Sequence, residues 1–144
     1  MIAIVMGSKS DMPIAQKTYD LLVKHHVAAT MQVLSFHRNA ETLFKFVKDS
    51  KAEVFIAFAG GAAHLAGAIA SHTLCPVIGV PVKIDLEGMD ALLSTVQMPS
   101  GVPVATVAIN GAENAAILAM QILAVGNERI LNELILMRNE LRNL

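Results

Sequence analysis

Three short segments hold most of the side chains that could do chemistry in this chain. Gly7-Ser8-Lys9-Ser10-Asp11 offers two hydroxyls and a carboxylate. Ser35-Phe36-His37-Arg38 offers a hydroxyl, an imidazole and a guanidinium. Ala59-Gly60-Gly61-Ala62-Ala63-His64-Leu65 offers a glycine pair and a second imidazole. Hydroxyls, a guanidinium and backbone N–H groups can hold a phosphate. A carboxylate can accept from a ribose hydroxyl, and a histidine can move a proton at neutral pH. A glycine pair between a strand and a helix permits positive φ and builds a nest of N–H groups suited to an anion. The set suits a sugar-phosphate substrate and a proton transfer. Taken singly, each residue has a plain structural use, since glycine pairs are common punctuation in βα turns.

The elements that must position these segments follow from the apolar pattern. Residues 2–6, 28–34, 54–58, 77–80 and 102–109 read as strands, the first and third as continuous apolar runs buried on both faces. Residues 12–26 have helical spacing, with Ser10 or Asp11 as cap and Pro13 in the first turn. His25 and His26 fall at its end, where solvated histidines favour the helix dipole. Asn39 caps a helix over 40–50 that turns Leu43, Phe44 and Val47 inward. Residues 68–72 read as helix, 83–88 as a polar loop and 89–96 as a short helix. An alanine-rich helix covers 112–125, and Gly126-Asn127 breaks it and caps a last helix to about Asn143. Ile130, Leu134, Met137, Leu141 and Leu144 form one stripe on that last helix, widened by Leu131 and Ile135. Strands alternating with helices predict an α/β, three-layer αβα sandwich on a five-stranded parallel, flavodoxin-like sheet of order 2-1-3-4-5. In that order strand 1 lies between strands 2 and 3, so the three chemistry-bearing loops meet at one carboxyl edge, where such sheets bind ligands.

The 144 residues predict one domain, 1–144, without repeats or linkers. A net charge of −1 gives no footprint for nucleic acid. Charged residues make up 16%, against about 25% in an ordinary domain. A monomer would be short of polar groups to cover itself, which predicts a homo-oligomer. The one cysteine, Cys75, reads as a small buried hydrophobe. The run at 1–6 lacks a positive flank and reads as a strand rather than a signal peptide. Residues 54–71 carry Gly60, Gly61, His64 and Gly67 and read as strand–turn–helix rather than a membrane span, so a cytoplasmic protein is expected.

The chain resembles the class I N5-carboxyaminoimidazole ribonucleotide mutase family, also called the phosphoribosylaminoimidazole carboxylase catalytic subunit. The matching segments are Val5-Met6-Gly7-Ser8-Lys9-Ser10-Asp11, Ser35 with His37-Arg38, Ala59 to Leu65, Pro76-Val77-Ile78-Gly79-Val80-Pro81-Val82, Leu92-Leu93-Ser94 with Val96-Gln97-Met98-Pro99, and Gly101-Val102-Pro103-Val104-Ala105-Thr106. Arg38 after His37 and the Gly60-Gly61-Ala62-Ala63-His64 loop resemble class I; class II enzymes use CO2 directly and typically carry a lysine after the histidine. The resemblance implies a reversible shift of a carboxylate from an exocyclic nitrogen to a ring carbon, as a mutase of de novo purine biosynthesis. It implies no metal, ATP or organic cofactor. It makes His37 the general acid/base, and gives ribose and phosphate to Ser8, Ser10, Asp11 and Arg38, with Ser35 beside them. It wraps base and CO2 in Ala59, Gly60, Gly61, Ala62, His64 and Leu65. It further implies a homo-octamer with active sites completed by neighbouring subunits; the stripe on the C-terminal helix is expected to pack on the core or on a neighbouring subunit rather than to face a membrane.

The chain departs from the family pattern at several points. The family commonly reads Ser-Ala-His-Arg-Thr-Pro where this chain has Ser35-Phe36-His37-Arg38-Asn39-Ala40. Phe58 stands where a glycine is usual, and Ala66 where a proline is usual. Phe36 and Phe58 are expected to enter one edge and either to pack on each other and seal the pocket or to fill it. Two other readings stay open at this point: a catalytically weak oligomeric nucleotide-binding module, and a related carboxylase or decarboxylase with another nucleotide substrate.

Overall fold

The computed structural model describes residues 1–143. Leu144, the last member of the C-terminal stripe, lies outside them. Five parallel strands, β1 (Ile2–Met6), β2 (Ala29–Val33), β3 (Val54–Gly60), β4 (Val77–Val82) and β5 (Ala105–Thr106), stand in the order β2-β1-β3-β4-β5. Six helices connect or flank them: α1 (Met12–Lys24), α2 (Ala40–Asp49), α3 (Leu65–Ala70), α4 (Met89–Val96), α5 (Ala112–Ala124) and α6 (Glu128–Arg142). The α/β flavodoxin-like architecture and its strand order are those the sequence predicts.

Strand alternation assigns each core. Ile2, Ile4, Met6, Val54, Ile56 and Phe58 pack with α1 and α5 on one face. Ala3, Val5, Phe55, Ala57 and Val77 pack with α2 and α3 on the other. Phe58 is fully buried in the first core, while Phe36 belongs to the second. The two phenylalanines lie on opposite faces of the sheet and do not pack on each other. The expectation that both enter the pocket is corrected: Phe58 follows the parity of Ile56, which already points at α1 and α5.

Other corrections concern boundaries. The strand expected over 102–109 contracts to two residues, and Pro103 just before it has no N–H for a ladder. β4 runs through Pro81, which the sequence reading had as its end. Odd residues of β4 face β5: Val107 N–H donates to the Gly79 carbonyl (3.1 Å) and Asn110 N–H to the Pro81 carbonyl (2.8 Å). β5 has ended before it reaches Pro81, so the missing N–H leaves no ladder bond unmade. The helix expected over 68–72 starts earlier, at Leu65, and stops at Ala70, where Ser71 Oγ turns back to donate to the Ala68 carbonyl (2.8 Å). Asn39 caps α2 through Thr42 N–H (3.2 Å), as expected. His25 is not solvated: it ends α1 half-buried against Glu133 of α6, with ring nitrogen and carboxylate 2.8 Å apart.

The register sets the carboxyl edge. Met6 pairs with both Val33 and Phe58, and Gly60 with Val82. Leu34 N–H donates to the Met6 carbonyl (2.9 Å) and Gly7 N–H to the Phe58 carbonyl (3.0 Å), so the loops leave the sheet side by side. Thr18 Oγ1 donates to the Ala112 carbonyl (2.6 Å) in the buried seam between α1 and α5, satisfying a hydroxyl that would otherwise be costly there. No helix of the described residues is long and apolar enough to cross a membrane.

Candidate active site

The loop after β1 tightens into a 3-10 turn, Lys9–Asp11, capped reciprocally. Ser8 Oγ accepts from Ser10 N–H (3.3 Å), and Asp11 Oδ2 accepts from Ser8 N–H (3.1 Å). Ser8 caps this turn, while Asp11 stands at the N-cap of α1, as the sequence allows, without a side-chain capping bond there. Ser10 Oγ donates to Ser8 Oγ (3.0 Å), which places two hydroxyls and a carboxylate within one turn. Asp11 is only 2% exposed. Burial holds its carboxyl above the usual carboxylate range, against the pull of Ser8 N–H, the Arg38 charge and the Ser10 hydroxyl.

The loop after β2 reaches across to the first. Arg38 N–H donates to Ser35 Oγ (3.3 Å), and Arg38 Nη2 donates to the Gly7 carbonyl (2.6 Å). One of five guanidinium donors is used to fix the group, and the others are free to meet an anion. The third loop follows β3. Gly61 takes φ +61°, a conformation that suits glycine, and its neighbours fold back. Ala63 N–H donates to the Gly61 carbonyl (2.9 Å) and His64 N–H to the Ala62 carbonyl (2.8 Å). Those two donors serve the loop itself, so the expected nest is narrower than the sequence implied. The hydroxyls and Arg38 are then the chief groups here that could hold an anion.

The same fold-back brings the two imidazoles together. His37 Nε2 and His64 Nδ1 are 2.9 Å apart, with ring centroids at 5.0 Å and ring planes at 81°. This contact uses one nitrogen of each ring and leaves the other nitrogen of each for a substrate.

These groups line one cavity of about 300 Å³, at the lower end of the range for small-molecule sites. Ser8, Ser10, Asp11, Ser35, His37, Arg38, Ala59, Gly60, Ala62, His64 and Leu65, all expected at the site, line it. Gly61 does not; it shapes the turn behind the wall. Gly7 and Phe36, which belong to segments expected at this edge but were not named as substrate-binding, also line it, and so does Ile84, which was not foreseen. Ile84 lies so close over Gly60 that a Cβ there would stand 2.3 Å from its Cδ1. The signal for Ile84 was topological, since β4 ends at the same edge as β1 and β3. Among the described residues, no three His, Cys, Asp or Glu side chains gather as metal ligands would.

Comparison with known proteins places this site in a lineage. The family model for AIR carboxylase matches residues 1–143. The chain belongs to the AIR carboxylase family. Within that family it is 54% identical over 142 residues to the N5-carboxyaminoimidazole ribonucleotide mutase of Methanocaldococcus jannaschii, a match covering 99% of this chain and 90% of that one. The protein of the same name in Mycobacterium tuberculosis is 46% identical, over 90% of this chain and 76% of its own. The crystal structure of Treponema denticola PurE superposes with a TM-score of 0.90 at 26% identity, covering 99% of this chain and 91% of that one. That structure thus shares this fold.

Proposed function

We propose that this chain is a class I mutase of de novo purine biosynthesis, interconverting N5-carboxyaminoimidazole ribonucleotide and 4-carboxy-5-aminoimidazole ribonucleotide within one domain in the cytoplasm. The observation that carries the reading is a hydrogen-bonded His37–His64 pair in the same cavity as Asp11, Ser8, Ser10, Ser35 and Arg38. It occurs in a chain 54% identical to a protein named as that mutase.

The nucleotide enters with its phosphate on the serine hydroxyls and Arg38, and with a ribose hydroxyl on Asp11. The base then lies against the Ala59–Leu65 loop, beside both imidazoles. His37, protonated, gives its proton to the exocyclic nitrogen as the N–C bond breaks and its electron pair stays on nitrogen. CO2 leaves but is held by the loop. The electron-rich ring carbon attacks it, a C–C bond forms, and His37 takes the proton from that carbon. The base ends as it began, and no electrons are exchanged with a second reactant. Positioned proton transfer supplies about 10²–10⁴ in rate. Holding CO2 next to its acceptor carbon supplies the rest, as effective concentration. The active form is proposed to be a homo-octamer with α6 packed on a neighbouring subunit.

Ultraviolet absorbance during incubation with carboxyaminoimidazole ribonucleotide tests the reading, with His37→Asn run in parallel. The parent is expected to convert the nucleotide, and the variant to lose about 10²–10⁴ of the rate while still binding. A parent that binds the nucleotide without turnover is a binding module. A parent that turns over only another heteroaromatic nucleotide is a related carboxylase.

A further inference from the structure

Phe36 occupies a position of its own at the site. Its ring lies 5.3 Å from the His37 ring at 48°, and 6.0 Å from the Phe44 ring at 51°. Phe44 in turn stacks on His72, with centroids at 3.6 Å and planes at 10°. The two tilted contacts of Phe36 have the geometry aromatic rings prefer, and the row His37–Phe36–Phe44–His72 forms a wall running from the turn after α3, across α2, to His37. That wall has space on both sides. Phe36 and His64 line the nucleotide cavity and also an adjoining hollow of about 400 Å³ formed with Gly67, Leu93, Gln97 and Met98. Phe36 therefore neither fills the nucleotide cavity nor pairs with Phe58; it stands between two spaces.

We propose that Phe36 is a positioning and specificity-determining residue. Its ring holds the His37 imidazole in hydrogen-bonding reach of His64, and it closes the base end of the nucleotide cavity against the hollow, restricting the site to nucleotides with a small, single-ring base. The size limit rests on the nucleotide reading above; the positioning role does not. Two effects separate on substitution. Phe36→Ala removes both the brace and the partition, whereas Phe36→Tyr keeps the ring and its contacts.

Two measurements on the whole chain test this. The first is nuclear magnetic resonance of the ligand-free protein, following the shared N–H proton and the nitrogen coupling between His37 Nε2 and His64 Nδ1. Both are expected in the parent and in Phe36→Tyr, and are lost in Phe36→Ala. The second is calorimetric binding of adenosine monophosphate as a two-ring probe, beside aminoimidazole ribonucleotide. Phe36→Ala is expected to bind the two-ring probe about tenfold more tightly than the parent does, with single-ring affinity little changed. With carboxyaminoimidazole ribonucleotide, Phe36→Ala is expected to lose about tenfold in kcat with KM nearly constant, as for a base held out of line. Phe36→Tyr restores kcat. An imidazole pair unchanged in Phe36→Ala overturns the positioning role. A parent that binds both probes equally well, or a Phe36→Ala variant no better than the parent for the two-ring probe, overturns the partition. A parent that binds neither nucleotide overturns the functional reading, and the imidazole resonances still decide the role of Phe36.

Discussion

Asp11 keeps a carboxyl in the cavity wall at a cost in stability. Its carboxyl is nearly sealed from water, and burial pushes its pKa upward despite Ser8 N–H, Arg38 and Ser10. Between the unfolded value and the raised folded value, the folded chain binds more protons than the unfolded chain, so stability falls as pH rises through that interval. Above it, the charged carboxylate is a standing cost. Asp11→Asn keeps an acceptor for Ser8 N–H and removes the charge. At neutral pH its Tm is expected about 1–3 °C above the parent's, the difference shrinking as pH is lowered through the interval, while nucleotide affinity falls. Thermal unfolding at two pH values, with a binding titration beside it, checks both halves. A lower Tm at neutral pH would mean that the carboxylate is net stabilising. At this scale the residue types were legible in the sequence, but their contacts were not. His37 and His64 were assigned to one edge from strand order, yet their 2.9 Å contact depends on how the loop after Gly61 folds back. Ser8's capping role was hidden because it belongs to a 3-10 turn ahead of α1 that the apolar pattern does not signal.

At the scale of elements, β4 and α4 meet closely at Gly79. A Cβ on Gly79 would stand 2.3 Å from Thr95 Cγ2, 3.1 Å from Val104 Cγ1 and 3.3 Å from Ala66 Cβ. Thr95 cannot swing aside cheaply. It is β-branched and buried, and its Oγ1 donates to the Ala91 carbonyl one turn back (2.7 Å). Gly79→Ala must lift α4 from the sheet, and is expected to lower unfolding free energy by about 1–3 kcal/mol. A urea midpoint unchanged from the parent would show that α4 gives freely. The alternation of strands and helices, the strand order and most helices were readable because each buries a clear apolar face. β5 was overread because Val102, Val104 and Val107 carry a strand-like pattern, while Pro103 and the short pairing with Ile78 and Gly79 confine the ladder to two residues. β3 and α3 each gain residues on the glycine loop, since Ala59 and Gly60 continue the ladder beside Pro81 and Val82.

On the scale of the whole molecule, α6 is the element least explained by the monomer. Ile130 is buried, and Leu134 and Met137 pack partly against α5, so one side of the helix belongs to the core. Its first turns are also fixed to α1. Arg129 donates to the His25 and His26 carbonyls (3.3 and 3.1 Å), and Glu133 pairs with His25. The His25 hydrogen bond holds the Glu133 carboxyl below its ordinary range, with the nearby charges of His25, His26 and Arg129 adding to it. A lowered folded pKa contributes stability that is complete above the unfolded value and lost as pH falls through the folded one, so acid weakens this anchor. Beyond this anchor, Leu131, Ile135 and Leu141 remain 45%, 49% and 60% exposed. Leu131 and Ile135 lie one turn apart on the flank of the core stripe, the spacing of a helix that packs twice. If α6 covers a neighbouring copy, Leu131→Glu with Ile135→Glu should split the assembly while leaving the monomer folded, because both side chains already face water there. Light scattering is expected to give the parent about eight times the 15.3 kDa chain mass, and the double variant a much smaller particle with the same far-ultraviolet circular dichroism. A parent that scatters as a monomer, or a double variant with the parent's mass, removes α6 from the interface.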